Sequence, residues 1–267
     1  MPLFFAAKFG DPVLQARAAT AFVAFCLTAS AVYIFNDCQD IEEDRRHPTK
    51  KNRPLSSGEV DLKTARSLML VSALVGLLSL SVVSLPATAV LGVYVVINIA
   101  YTLRLKHIAI IDVMIIASGF VLRLFVGALA TGIALSQWIV MMTFLLALFL
   151  ALAKRRDDVL IFLDTGEKMR RTVEGYNLQF LDTTMAIMAA VVIVAYSIWA
   201  ASDQVVAKFH ARYLYLTSFF VILGILRYLQ IVFVHLDSGS PTKIILQDRF
   251  LQLTLLGWIV AFAWILY

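Results

Sequence analysis

The sequence predicts an all-α membrane protein whose helices cross the bilayer several times. Hydrophobic residues make up 61% of the 267 residues and charged residues only 15%, and the mean hydropathy is +0.84. A soluble domain would carry roughly a quarter charged residues, so this composition excludes an ordinary water-soluble fold. The formal net charge of +5 comes from basic loops, and no nucleic-acid partner is needed to explain it.

Apolar segments of about 20 residues, the length that a membrane-spanning helix requires, recur along the whole chain. Eight such spans are predicted, near residues 17–36, 62–85, 87–103, 107–131, 136–153, 180–201, 212–234 and 249–267. Met1–Phe9 is apolar but too short to cross, and we interpret it as the N-terminal stub of a ninth helix. We therefore expect a single transmembrane domain formed by residues 1–267.

The loops between the spans differ in length and charge, and this difference predicts their orientation. The long, polar connections are 37–61, 154–179 and 235–248. Lys and Arg concentrate there, with seven between residues 44 and 66 and six between residues 154 and 171. The positive-inside rule places these loops on the cytoplasmic side, so we expect a multi-pass protein of the plasma (inner) membrane whose active site faces the cytoplasm.

The first long loop combines acidic and basic residues in a pattern that suits phosphate chemistry. Asp37, Asp40 and Asp44 are spaced i, i+3 and i+7, so on one helix the three carboxylates would share a face. The cations that follow are Arg45, Arg46, Lys50, Lys51 and Arg53. Such carboxylates hold Mg²⁺ together with phosphate oxygens, and Lys and Arg neutralise the remaining charge, so we predict a magnesium-bound diphosphate. A charged loop that only orients its helices would not require carboxylates in helical phase.

A second cluster of charges follows the span predicted near residues 136–153. Its members are Lys154, Arg155, Arg156, Asp157 and Asp158. It stands about 120 residues after the first motif and is predicted at the same membrane face. A positive-inside stop signal would account for the Lys and Arg residues but not for the carboxylates. We therefore interpret the two clusters as two halves of one site.

Polar side chains within and between the spans give further candidates. Arg123 lies about midway through an apolar span, where a cation is costly unless it faces a polar cavity or an anion. Asp112, on nearly the same helical face, is a candidate structural partner for it. Asn98 and Tyr101 line one stripe of the preceding span, and Tyr176 follows the second cluster. Each of these three could bind substrate or serve only helix packing or interfacial anchoring.

The first motif resembles the signature of the UbiA prenyltransferase superfamily. The stretch Asn36-Asp37-x-x-Asp40-x-x-x-Asp44 and the later Arg53-Pro54-Leu55-x-Ser57-Gly58 carry this resemblance, which extends over nearly the whole chain. Members of the superfamily are membrane enzymes with a central cavity and Mg²⁺-diphosphate chemistry at its cytoplasmic mouth. The resemblance implies a UbiA-like helical bundle, here with eight full spans plus the stub.

Three further segments are similar to the branch of this superfamily that transfers phosphoribosyl groups to lipid phosphates. They are His47-Pro48-Thr49-Lys50, Gly119-Phe120-Val121-Leu122-Arg123 and Lys154-Arg155-Arg156-x-Asp158. The last replaces the second Asp-rich motif of the aromatic prenyltransferases, and it has Asp158 where the branch carries a glutamate. The resemblance implies a phosphoribosyltransferase that uses Mg²⁺ to transfer 5-phosphoribosyl from phosphoribosyl diphosphate to a polyprenyl phosphate, releasing diphosphate.

Roles for individual residues follow from this resemblance and from the chemistry of the side chains. Asp37, Asp40 and Asp44 are predicted to bind the metal and to be catalytic together with Arg123, which would meet a phosphate inside the cavity. The predicted substrate-binding residues are Asn36 (as an orienting amide), Lys50, Arg53, Asn98, Tyr101, Lys154, Arg155, Arg156, Asp158 and Tyr176. The apolar helices would hold the polyprenyl tail in a slot that tolerates different lengths.

Two other functions stay open at the level of the sequence. Transfer of a prenyl group from a polyprenyl diphosphate to an aromatic acceptor would require metal carboxylates at both ends of the site, and the basic cluster at residues 154–156 argues against this arrangement. An anion transporter would bind its substrate near the midplane, between repeated halves with broken helices, and Arg123 alone fits that arrangement.

Overall fold

The structure is a computed structural model, and it describes residues 10–46, 50–166, 171–209, 212–236 and 241–266. Every regular element within these ranges is a helix, which confirms the all-α prediction. The chain divides into two compact units, Met1–Val140 and Met141–Tyr267. Met1–Phe9, interpreted above as a stub, and the segment His47-Pro48-Thr49 lie outside the described residues.

Four long helices, joined by short helical turns, make up most of the first unit. Its α-helices are α1 (Pro12–Gln39), α2 (Ile41–Arg46), α3 (Pro54–Ser57), α4 (Leu62–Val83), α5 (Leu85–Leu103) and α6 (Ile111–Thr131). Short 3-10 turns at Lys50–Asn52 and Leu105–His107 follow α2 and α5. Asp11 accepts hydrogen bonds from the first N–H groups of α1, and Pro12 occupies the first helical position. These two residues start α1 earlier than the predicted residue 17.

α1 and α4 pack closely because small residues face each other at their crossing. A Cβ placed on Gly76 of α4 would lie 2.4 Å from Oγ1 of Thr28 and 2.7 Å from the carbonyl oxygen of Ala24, both in α1. Small residues let membrane helices approach in this way. The buried apolar residues beside this crossing include Ala21, Val32, Leu80, Leu91 and Val126. This packing fixes the position of α1, whose C-terminal end carries the carboxylate motif.

Capping residues determine where α4 and α5 begin. Asp61 accepts hydrogen bonds from the N–H groups of Lys63 and Thr64 at 3.1 and 3.2 Å, and hydrogen bonding to Thr64 holds the pKa of Asp61 below its usual value. Ser84 caps α5, and its hydroxyl donates to the carbonyl of Leu129 in α6 at 3.2 Å. The turn between α4 and α5 is therefore tight, and it lies where the predicted spans 62–85 and 87–103 meet.

The second unit is also helical. Its α-helices are α7 (Gln137–Thr165), which begins just before the boundary, α8 (Leu178–Ala201), α9 (Asp203–Phe209), α10 (Ser218–Phe233), α11 (Pro241–Gln247) and α12 (Arg249–Leu266). A 3-10 turn at Leu214–Thr217 precedes α10. The hydroxyl of Tyr196 in α8 lies 2.7 Å from that of Thr217 and accepts a hydrogen bond from Nε1 of Trp258 in α12 at 2.8 Å. This network holds three of the elements together.

The described helices identify a multi-pass membrane protein. Seven of them are long and apolar enough to cross a membrane, or eight if the bent pair α11 and α12 counts as one span. Large apolar side chains point outward, among them Val82 at 89% exposure and Trp264 at 86%, as a surface in contact with lipid requires. The predicted seven spans up to residue 234 are confirmed as helices, and the full count of eight plus a stub stays a prediction.

Two predicted loops contain more helix than expected. α7 does not end near residue 153 but continues to Thr165, so the second charge cluster lies within a helix. The sequence has no Gly or Pro from Gln137 to Thr165, and Gly166 then follows with a φ of 70°. In the last loop, α11 lies at 87° to α12, and Asp248 at the bend is held by Nη2 of Arg227 at 2.7 Å.

Candidate active site

The carboxylate motif lies at the C-terminal end of α1, where the chain changes direction. α1 ends at Gln39, and the N–H of Asp40 caps it by donating to the carbonyl of Asn36. α2 then begins at Ile41 and carries Asp44. The three carboxylates are therefore not on one continuous helix. The prediction of one helical face for all three is wrong, because the helix breaks at Asp40.

One guanidinium joins two of these carboxylates. Nη1 of Arg53 lies 2.7 Å from Oδ1 of Asp37 and 2.8 Å from Oδ2 of Asp44. Nζ of Lys50 lies 3.8 Å from the other carboxylate oxygen of Asp44, which is buried. The side chains of Asp37 and Arg53 are 30% and 37% exposed, so this side of the cluster is accessible to a ligand.

The sequence around Arg53 explains how its side chain reaches the carboxylates. Pro54 occupies the first position of α3, and Gly58 ends that helix in the left-handed conformation with a φ of 81°. Arg53 is the N-cap residue and has extended backbone angles. Arg45 donates a hydrogen bond to the carbonyl of Ser56 at 3.4 Å, which ties α2 to α3. The motif Arg-Pro-x-x-x-Gly thus forms a short helix that directs its cap residue toward the carboxylates.

The third carboxylate, Asp40, has different partners. Its Oδ1 lies 2.5 Å from Nζ of Lys106, in the 3-10 turn after α5, and its Oδ2 accepts a hydrogen bond from Nδ2 of Asn36 at 3.0 Å. The side-chain carbonyl of Asn36 in turn accepts a hydrogen bond from the hydroxyl of Thr102 at 3.2 Å. The position of Asn36 between Asp40 and α5 is the one that an orienting amide requires.

Sequence reasoning missed Thr102 and Lys106 as members of this cluster. A signal was available, because Asn98, Thr102 and Lys106 recur every four residues and so tend toward one side of a helix. The residues predicted to bind substrate from this helix were Asn98 and Tyr101 instead. In the structure both are half-buried, and Nδ2 of Asn98 donates to the carbonyl of Tyr94 in its own helix at 2.8 Å.

The donor set of the first cluster suits Mg²⁺, although it is not a ready-made three-ligand site. Across the described part of the chain, no group of three Asp, Glu, His or Cys side chains is placed to hold a metal together. Asp37 and Asp44 converge on one cationic nitrogen, whereas Asp40 faces Lys106. Two carboxylates completed by phosphate oxygens and water are a common magnesium environment. The metal role of Asp40 stays a prediction.

Arg123 lies within α6 and faces aromatic side chains. Its guanidinium carbon is 5.3 Å from the ring centre of Phe25 in α1 and 4.6 Å from that of Phe120. It also interacts with the hydroxyl of Tyr94, a buried residue of α5. Asp112 is buried in the first turn of α6, about 16 Å away along the helix axis, so it is not the partner of Arg123.

The two arginines of the second charge cluster are buried in the second unit. Arg155 is 1% exposed, and its Nη1 lies 2.6 Å from Oδ2 of Asp158. Arg156 is 4% exposed, and its Nε donates to Oδ1 of Asp182 in α8 at 2.6 Å. Nη1 of Arg156 donates to the carbonyl of Val232 near the end of α10 at 2.9 Å. Arg156 therefore links three helices of this unit.

Lys154 and Tyr176, the other predicted substrate-binding residues discussed for the second unit, differ in exposure. Lys154 is exposed, in contrast to the two arginines that follow it. Tyr176 is buried, and its ring centre lies 6.1 Å from that of Phe180, so it packs at the start of α8. The predicted phosphate contacts of the arginines and the substrate contact of Tyr176 stay predictions.

Comparison with known proteins identifies the family. A model of the UbiA prenyltransferase family matches residues 1–251. The chain belongs to this family. It is 33% identical over 251 residues to a decaprenyl-phosphate phosphoribosyltransferase of Corynebacterium glutamicum, covering 93% of this chain and 75% of the relative. A protein of the same name from Mycolicibacterium smegmatis is 35% identical over 255 residues, covering 92% of this chain and 79% of the relative.

Solved structures of the UbiA family share the fold. A UbiA homologue from Archaeoglobus fulgidus, bound to DMAPP and Mg²⁺, has a TM-score of 0.69 and 18% identity, covering 93% of this chain and 87% of that chain. The same homologue bound to GPP and Mg²⁺ gives the same values. This likeness confirms the predicted UbiA-like helical bundle.

Within this member of the UbiA family, the predicted residues at the end of α1 form two neighbouring side-chain networks. One joins Asp37, Asp44, Lys50 and Arg53. The other joins Asn36 and Asp40 to the unpredicted Thr102 and Lys106. Arg123 belongs to neither network and lies on the aromatic side chains of Phe25 and Phe120.

Proposed function

We propose that this protein is a membrane transferase that moves a 5-phosphoribosyl group from phosphoribosyl diphosphate to a polyprenyl phosphate and releases diphosphate. The observation that carries the proposal is the 33% and 35% identity, over more than nine-tenths of the chain, to relatives named decaprenyl-phosphate phosphoribosyltransferase. The cluster at the end of α1 supports it, because acidic and basic side chains converge there in a way that suits a metal-bound diphosphate.

Asp37 and Asp44 are the residues that would hold Mg²⁺. Their oxygens already surround one positive charge, Nη1 of Arg53, and the set contains only oxygen donors, which Mg²⁺ prefers. Asp40 would join them by exchanging its contact with Lys106. When bound, the ion supplies positive charge that stabilises the departing diphosphate.

The basic residues of the first unit would bind diphosphate oxygens. Lys50, Arg53 and Lys106 each pair with a carboxylate, and each can turn from that carboxylate to a phosphate when a metal takes its place. Arg is suited to two parallel hydrogen bonds with phosphate, and Lys acts as a point charge. In the second unit the exposed Lys154 is proposed to contact phosphate, supported by the buried ion pairs of Arg155 and Arg156.

The reaction needs positioning more than proton transfer. The bond from C1 of the ribose to the diphosphate oxygen breaks, positive charge develops at C1, and an oxygen of the lipid phosphate forms the new bond to C1. The lipid phosphate is already an anion, so no general base has to remove a proton from it. Orientation of the two substrates and neutralisation of the leaving group would supply the rate enhancement.

The deciding experiment uses purified protein, Mg²⁺, polyprenyl phosphate and phosphoribosyl diphosphate labelled in the ribose. Label should move into the organic phase, and a chelator in excess should prevent this transfer. A parallel reaction contains polyprenyl diphosphate and a hydroxybenzoate. Product from this second mixture alone would replace the proposal with aromatic prenyl transfer. Uptake of labelled donor into sealed vesicles without transfer to lipid would favour a transporter.

The proposed location is the plasma (inner) membrane, with the active site at the cytoplasmic face. The concentration of Lys and Arg in the loops that carry the carboxylates supports this orientation. Ser57 is exposed close to Arg53, so it is a suitable reporter. In a Ser57→Cys variant whose Cys26 and Cys38 are replaced by serine, a membrane-impermeant thiol reagent should react only after the cells are opened. Labelling of intact cells would contradict the orientation.

A further inference from the structure

The side chains around Arg123 hold its guanidinium in one orientation, but none of those described is an anion. The residue is the thirteenth of the 21 residues of α6, and its side chain is exposed on the first unit. Its described neighbours are the rings of Phe25 and Phe120 and the side chain of Tyr94, whose ring centre lies 4.7 Å from that of Phe25 and whose hydroxyl interacts with the guanidinium. No carboxylate of the described residues pairs with it.

These contacts do not explain why an arginine is present. A cation–π contact with phenylalanine contributes less than the cost of placing an arginine in the middle of a membrane-spanning helix. Leucine or methionine at this position would avoid that cost and still pack against Phe25 and Phe120. An intramembrane arginine held in one orientation and lacking a carboxylate is therefore expected to meet an anionic ligand.

The carboxylate cluster is too distant to supply that ligand from its bound diphosphate. Tyr94, which interacts with Arg123, and Thr102, which bonds to Asn36, are eight residues apart on α5. Eight residues correspond to about 12 Å along a helix axis. A diphosphate bound by Asp37 and Asp44 would therefore be out of reach of the Arg123 guanidinium, as long as this side chain packs on Phe25 and Phe120.

We propose that Arg123 and Tyr94 form a second phosphate subsite, which binds a phosphate monoester and not the leaving diphosphate. This inference rests on the proposed function, because both substrates of that reaction carry such a group. The donor has a phosphate on C5, at the opposite end of the ribose from its diphosphate, and the acceptor has the phosphate of the lipid. The guanidinium of Arg123 and the hydroxyl of Tyr94 can both donate hydrogen bonds to it.

The test compares the wild type with Arg123→Gln, Arg123→Lys and Tyr94→Phe in the labelled-transfer assay. Two series are measured, one that varies the donor and one that varies the lipid, and a third repeats the donor series with ribose 1-diphosphate, which lacks the C5 phosphate. Arg123→Gln should raise one of the two KM values about tenfold or more, because a hydrogen bond to a charged group is lost. Arg123→Lys should restore part of this loss, and Tyr94→Phe should show a smaller increase.

The series also identify the source of the phosphate. If it is the C5 phosphate, the donor KM rises and the difference between the wild type and Arg123→Gln disappears with ribose 1-diphosphate. If it is the lipid phosphate, the acceptor KM rises and the donor series are unaffected. Inhibition by inorganic diphosphate should be the same in all four proteins under either outcome.

Two results would overturn the subsite. One is an Arg123→Gln protein with wild-type KM values for both substrates, and the other is an equal loss of affinity for inorganic diphosphate. If Arg123→Gln does not fold, the same comparisons are made with Arg123→Lys and Tyr94→Phe. A wild-type protein that transfers no label would overturn the proposed function and this inference with it, whereas normal transfer with either of the two results above would overturn the inference alone.

Discussion

The two charge clusters of this protein have similar compositions but satisfy their charges differently. In the first unit, Arg53 is shared between Asp37 and Asp44, and its side chain is 37% exposed. In the second unit, Arg155 and Arg156 have separate carboxylate partners and are 1% and 4% exposed. An exposed, shared cation can change partners at low cost, whereas a buried arginine that loses its partner is strongly destabilised. From this difference in burial we expect ligand exchange at the first cluster and structural support from the arginines of the second, whose phosphate contacts stay predictions.

The largest effect is expected from Asp37→Asn in the first cluster. Turnover should fall about a hundredfold or more, because removal of one charged ligand weakens stabilisation of the leaving group. Thermal unfolding should change little, because the lost ion pair is partly exposed. Initial transfer rates and thermal denaturation of the same preparation measure both quantities. Glu42→Gln, which removes an exposed carboxylate from the neighbouring helix, is the matched control and should stay active.

A wild-type rate for Asp37→Asn, with Glu42→Gln also normal, would show that the first cluster does not hold the metal. The difference in burial between the two clusters would then not correspond to a difference in function.

The second prediction tests the buried side of the comparison with Arg156→Gln. This change removes the ion pair with Asp182 and a hydrogen bond to the carbonyl of Val232. Breaking a fully buried pair costs about 3–5 kcal/mol, and a loss of about 2 kcal/mol is expected here because the Asp182 side chain is 40% exposed. The free energy of unfolding in detergent should decrease by this amount, while turnover per folded molecule stays near that of the wild type.

The matched control for the second prediction is Glu42→Gln, which breaks only an exposed pair with Arg45 and should change stability by about 0.5 kcal/mol or less. A stable Arg156→Gln protein with an increased donor KM would place Arg156 among the phosphate ligands and remove the distinction between the clusters.

A third prediction concerns how α1 is held in place in the first unit. Gly76→Ala should destabilise the protein by about 1–3 kcal/mol, because the added methyl group would overlap Thr28 and Ala24 in α1. Gly92→Ala is the control, since no atom lies within 4 Å of a Cβ at that position, and alanine there should be neutral or slightly stabilising. The free energies of unfolding of the two variants, measured in detergent, test this prediction. Equal stabilities would mean that α1 is not positioned by this crossing.

The smallest effect is expected for the binding of Mg²⁺ to Arg53→Gln. Arg53 provides the positive charge between Asp37 and Asp44, so its removal should increase the affinity for Mg²⁺ alone by about fivefold, as for a partly exposed ion pair. The affinity for inorganic diphosphate should decrease in the same variant. Calorimetric titration with each ligand measures both changes, with Lys51→Gln, which removes an exposed cation from the neighbouring 3-10 turn, as the control. An unchanged affinity for Mg²⁺ would show that the ion and Arg53 do not compete.

Much of the first cluster could be predicted from local sequence, and the missing part depended on a distant segment. Asp37, Asp44 and Arg53 stand within one loop, and Pro54 and Gly58 indicate the short helix that places Arg53. Lys106 was missed because it reaches Asp40 from 66 residues later in the chain. The break after Gln39 was missed because the spacing of the three carboxylates fits a continuous helix, although like charges on one face disfavour such a helix.

Composition and hydropathy by themselves determined that this protein is an all-α membrane protein, because a run of about 20 apolar residues has few stable states other than a spanning helix. The motif at residues 36–58 indicated the family, and it predicted a metal-bound phosphate as the ligand because carboxylates and cations at that spacing suit one. Only the tertiary structure decided which charges are shared and which are buried. Arg53 and Arg156 are the same residue type beside aspartates, and the packing of the surrounding helices alone leaves one partly exposed between two carboxylates and the other buried against one.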